Sequence, residues 1–117
     1  MKTDLTYLRN MSGGNKELVL EMITIFKNQV DEFTTDMEEL YDKKEYEKLG
    51  KLAHKAKSSI SIMGLNDLAQ DLKTFENIAK AGIEEEKYPE FITRFKQETA
   101  EAVIELEEVS ANLDIYF

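Results

Sequence analysis

Apolar residues in this chain recur at gaps of three, four and seven. That spacing is the period of an amphipathic helix, and it constrains the fold more than any other feature. A short first piece runs from Asp4 to about Asn10, with Asp4 as N-cap and Leu5 and Leu8 on one face. After Ser12-Gly13-Gly14, Asn15 can cap a second piece that reaches about Tyr41, with a stripe of Leu18, Met22, Ile25, Phe26, Phe33, Met37, Leu40 and Tyr41. A third piece spans about Lys44 to Met63 and carries Leu49, Leu52, Ala53, Ala56, Ile60 and Met63, with Gly64 as its stop. Asn66 is a candidate cap for a fourth, striped by Leu68, Leu72, Phe75, Ile78 and Ala79 and ending near Gly82. Pro89 suits the first turn of a fifth, lined by Phe91, Phe95, Ala102, Leu106, Val109 and Leu113. Four long amphipathic helices with short connections predict an all-α, antiparallel up-down four-helix bundle. The short first helix caps one end, and residues 1–117 form one domain.

Composition removes whole classes of chemistry. There is no cysteine and one histidine, which excludes disulfides, thiol catalysis and thiolate or His-rich metal sites. The formal charge of −9 sets the surface against phosphate backbones, so no nucleic acid is expected as partner. No apolar run approaches the roughly 20 residues of a membrane span, and the start Met1-Lys2-Thr3-Asp4 lacks an export signal. The expected setting is therefore the cytoplasm, away from the membrane. Ser12-Gly13-Gly14 is not followed by Gly-Lys-Ser/Thr, so ATP binding is not expected either.

The single histidine, His54, lies on the third predicted helix. At about 100° per residue it points about 140° from Leu49, the centre of the apolar stripe, and so faces solvent. Gly50 stands one turn before it, Ser58 one turn after and Ser61 two turns after, all small and all expected on the open face. Lys57 is three residues on, within reach of the imidazole, and Lys48, Lys51 and Lys55 make the helix locally basic. An exposed imidazole can serve as a nucleophile, with a lysine beside it to neutralise phosphoryl oxygens. A solvated surface histidine among ordinary lysines has the same pattern, and spacing does not separate the two.

The run from Ala53-His54-Lys55-Ala56-Lys57-Ser58 through Gly64 and on to Leu68, Leu72 and Glu76 resembles the histidine-containing phosphotransfer (HPt) domain. The family motif is His, Lys at +3, Gly or Ser at +4, Gly at +10, Leu at +14 and commonly Gln or Glu at +22. Here His54, Lys57, Ser58, Gly64, Leu68 and Glu76 fill those positions. Ala56, where the family often has Leu, is a mild departure. The opening Leu5-Thr6-Tyr7-Leu8 followed by Ser12-Gly13-Gly14 and an amphipathic helix is also similar to family members. The resemblance implies that His54 accepts a phosphoryl group on Nε2 from a receiver-domain aspartate and hands it to a second receiver. It implies that Lys57 stabilises the phosphoryl charge and that Ser58 gives the receiver clearance. Glu76 would accept the Nδ1–H bond that leaves Nε2 bare. Receiver domains are the implied partners, docking over Gly50, Ser58 and Ser61, with Mg²⁺ on the receiver and no cofactor or metal on this chain. A monomeric phosphoryl carrier without kinase machinery is expected.

Two rivals remain on the residues alone. A binding-only helical adaptor leaves His54 chemically idle, but has no need of Lys57, Ser58 and Gly64 at this spacing. A carboxylate enzyme built on Glu84, Glu85 and Glu86 fails geometrically, since consecutive residues fan over different helix faces. Met11, Met22, Met37 and Met63 read as core filler more than as a pliable groove. The Met1 start and the lack of a linker at either end favour a free-standing domain over a piece of a hybrid kinase.

Overall fold

Several helix ends have a local reason. In the computed structural model, which describes residues 2–117, α1 (Thr6–Ser12) has Leu5 and not Asp4 at its N-cap; Asp4 stands one residue earlier and its carboxylate accepts the Thr6 amide at 3.0 Å. Asn15 accepts from the Leu18 amide and caps α2 (Lys16–Asp42), as its side chain suggests. A tight turn leads to α3 (Tyr46–Ile62), and Gly64, at φ 72°, turns the chain into α4 (Asn66–Ala81). Asn66 is the first residue of that helix and makes no side-chain cap. Left-handed Gly82 closes α4, and a 3₁₀ turn at Glu85–Lys87 leads into α5 (Tyr88–Ala111) with Pro89 in its first turn. The expected last helix breaks at Asn112, so Leu113 belongs to a separate short helix, α6 (Leu113–Tyr116). No strand occurs among the described residues.

The four long helices form a bundle of about 46 × 20 × 20 Å, in which α2 packs on α3 and α5, and α4 on α3 and α5. The closest backbone approach is between α3 and α4. The stripes of α3 and α4 are buried as read, except that Leu52 is half-buried. The stripe of α2 is not. Val19, Ile23 and Val30 enter the core, while Leu18 and Met22 are half-buried and Ile25 is exposed. The first half of α2 carries apolar residues over two adjoining faces, and periodicity alone does not say which one turns inward. On α5, Tyr88, Ile92 and Thr99 join the core, while Phe91 is half-buried. The Tyr88 hydroxyl hydrogen is shared between the Ile78 and Ile83 carbonyls at the end of α4, and its ring packs edge-on to Tyr46. Burial without a lost hydrogen bond is why a tyrosine can sit there.

An N-terminal strap closes the end of the bundle where α3 turns into α4. The Lys2 and Thr3 amides and the Thr3 hydroxyl donate to Glu105 on α5. The Asp4 amide donates to the Met63 carbonyl at 3.1 Å. Against the upward pull of partial burial, the Thr3 and Lys2 amides and the Thr3 hydroxyl hold the Glu105 carboxyl below its ordinary range. The strap passes so close to Gly64 that a Cβ there would lie 2.4 Å from the Asp4 carbonyl oxygen. Gly64→Ala is therefore expected to destabilise the fold by about 2–4 kcal/mol, combining a left-handed backbone with overpacking against main chain. Urea denaturation at an unchanged m-value measures this, and a midpoint equal to wild type would show that the strap is loose.

Candidate functional site

His54 sits at the midpoint of α3, eight residues from either end. Its side chain is 61% exposed, on the outward face where the helical wheel places it. It does not stand alone. Its Nδ1 lies 3.1 and 3.0 Å from the two carboxylate oxygens of Glu76, which reaches over from α4. Glu76 is the unusual member of this pair, because its side chain is only 11% exposed. A buried carboxylate needs partners. Lys80, one turn along α4, donates to Oε2 at 2.7 Å, and Lys57 of α3 brings its Nζ to 3.8 Å from Oε1. Together these hold the Glu76 carboxyl below its ordinary range, the Lys80 hydrogen bond being the largest cause and the His54 ring adding to it against the pull of burial. An ionised carboxylate only accepts hydrogen bonds, so Nδ1 is the ring nitrogen that carries hydrogen toward it. The opposite nitrogen, Nε2, is left on the solvent side of the ring.

Of the residues singled out in the sequence, the structure brings His54, Lys57 and Glu76 into one cluster. Ser58 and Ser61 are exposed on the same face of α3. Gly50 is not where it was expected. It is buried against α4, and a Cβ there would meet Lys80 Cγ at 2.7 Å and the Glu76 carbonyl oxygen and Lys80 amide nitrogen at 3.0 Å. On the wheel Gly50 falls about 40° from His54 on the same flank as Lys57, and Ser58 about 40° on the other. The wheel alone does not show that α4 covers the first flank. Gly50 thus cannot line an open docking surface; it is the notch that lets the two helix backbones approach. Lys80 was not singled out at all, although its place four residues after Glu76 is a readable signal for an ion pair on a helix.

The fold and this cluster agree with the comparison against protein families, in which the Hpt domain matches residues 21–111. The chain belongs to the Hpt domain family. The members of that family are histidine phosphotransfer modules of phosphorelays, phosphoryl carriers that work with receiver domains. Comparisons with curated proteins and with solved structures find no match.

Gly50→Ala tests the notch. Ala gains about 1 kcal/mol over Gly in a helix interior, but crowding a packed backbone costs typically about 1–3 kcal/mol. A net loss of stability is expected, together with NMR shift changes at His54 and Glu76 as α4 moves away. A variant more stable than wild type, with the His54 signals unmoved, would show that the helices have room to spare.

Proposed function

We propose that this domain carries a phosphoryl group on Nε2 of His54, taken from an aspartyl phosphate of one receiver and passed to another. The observation that supports it is the pairing of an exposed imidazole with a buried, ionised carboxylate on Nδ1. Neutral imidazole can be protonated on either nitrogen, and only the Nδ1–H form presents a lone pair at Nε2. Glu76 favours that form. In the transfer, the Nε2 lone pair forms the N–P bond while the P–O bond to the receiver aspartate breaks, and the aspartate leaves as a carboxylate. The Nδ1 proton stays in place, so positive charge develops on the ring. Glu76 faces that charge at 3.0 Å, an electrostatic contribution aimed at where charge appears.

The remaining parts are light. Lys57 lies only loosely against Glu76 at 3.8 Å and has the freedom to turn to the phosphoryl oxygens. Ser58 and Ser61 keep the approach to Nε2 free of bulk. Mg²⁺ and the acidic pocket belong to the receiver in this reading, and the chain needs no cofactor of its own. No helix among the described residues is long and apolar enough to cross a membrane.

Incubation with a phosphorylated receiver should transfer acid-labile phosphate to the wild-type chain. His54→Gln should take up none yet still fold, because the side chain is exposed and Lys80 and Lys57 still face Glu76. Lys57→Ala should slow transfer about tenfold or more, the effect of losing one charged hydrogen bond in the transition state. Labelling of the His54→Gln variant would mean that another residue is the acceptor. Docking has its own test: Ser58→Trp should block transfer without unfolding the domain, while Ser61→Ala should be nearly silent. Full transfer by the tryptophan variant would move the docking face elsewhere.

A further inference from the structure

Three other ion pairs on single helices have the same spacing of four residues as Glu76 and Lys80. They are Glu39 with Lys43, Glu47 with Lys51, and Glu90 with Arg94. In all three the acid is exposed, its side chain between 55% and 75% accessible. Such pairs contribute little, because two mobile side chains must be held together in water. The Glu76 pair differs in the burial of its acid. Its carboxylate is nearly enclosed, and the aliphatic stem of Lys80 crosses the notch at Gly50, close enough that a Cβ there would touch Lys80 Cγ. The stem of the lysine thus has a neighbour on the facing helix, although the side chain as a whole is 41% exposed. That ammonium binds Oε2, the oxygen closer to His54 Nδ1, at 2.7 Å. Lys57 at 3.8 Å is too far to hold the carboxylate by a hydrogen bond.

We propose that Lys80 is a positioning residue for His54: seated over Gly50, it clamps the Glu76 carboxylate in the orientation that accepts Nδ1–H and so fixes the imidazole tautomer. It touches neither the ring nor the incoming group. The significance for transfer rests on His54 being the phosphoryl acceptor, but the tautomer is a property of the unphosphorylated chain. Lys80 also has the largest part in keeping Glu76 ionised, which a pure acceptor requires.

The test uses the full chain labelled with ¹⁵N, in which two-bond ¹H–¹⁵N spectra report which nitrogen of the His54 ring carries hydrogen. Lys80→Met keeps a stem over Gly50 and removes the ammonium. It should raise the population with hydrogen on Nε2 about three- to tenfold, the range set by one hydrogen bond's net contribution. Phosphoryl uptake from a phosphorylated receiver should slow by a similar factor, with a lower melting temperature because the enclosed Glu76 carboxylate loses a partner. Lys80→Arg, which restores the charge, should recover both. A folded Lys80→Met variant with the wild-type tautomer ratio overturns the proposal, and so does a failure of Lys80→Arg to restore it. Should Lys80→Met not fold, Lys80→Gln, also without the charge, is held to the same spectra. If the tautomer responds as expected but the wild-type chain takes no phosphoryl group, the clamp stands and the phosphotransfer reading falls.

Discussion

The close approach of α3 and α4 at Gly50 is the contact on which the site depends. A side chain at that position would meet the α4 main chain at 3.0 Å. Without one, the two backbones come close enough for a glutamate on one helix to reach the ring edge of a histidine on the other. The cost of burying Glu76 is offset by three cationic or hydrogen-bonding neighbours drawn from both helices. His54 can then remain open to solvent on one edge and be held on the other. Exposure and orientation usually oppose each other, since a side chain free of neighbours is also free to turn. Here they are divided between the two nitrogens of one ring.

The bundle's periphery serves the same end. The strap from Lys2 to Asp4 ties the turn between α3 and α4 to α5 through Glu105 and Met63. At the far end of α4, Tyr88 fastens the carbonyls of Ile78 and Ile83, and Phe75 stacks on Phe91 at 5.1 Å between centroids. Both ends of α4 are therefore pinned, and the middle of the helix, which carries Glu76, is held in register against α3.

Most of the fold was legible in the sequence, because helix period and cap residues are local. Asn15, Gly82 and Pro89 mark element ends that the structure keeps. Two adjoining apolar faces on α2 were not resolvable, since the choice between Val19 and Leu18 is made by the partner helices. The site divides similarly. His54's outward direction follows from the wheel, and Glu76 from its spacing in the family motif. The burial of Gly50 is a tertiary fact: on one helix a glycine looks the same whether it faces water or another backbone. Lys80 offered a local signal, but its meaning depends on Glu76 being enclosed, which no local pattern reveals.

The mid-helix seat of His54 has an entropic consequence. Each of the eight residues on either side of it in α3 lost its backbone freedom when the domain folded, a cost of roughly 1–2 kcal/mol per residue that a loop-borne site defers until its partner arrives. The backbone around this imidazole does not have to be ordered at the moment of encounter. A partner that used this face of α3 would meet a stiff rod with a ring already set at its centre.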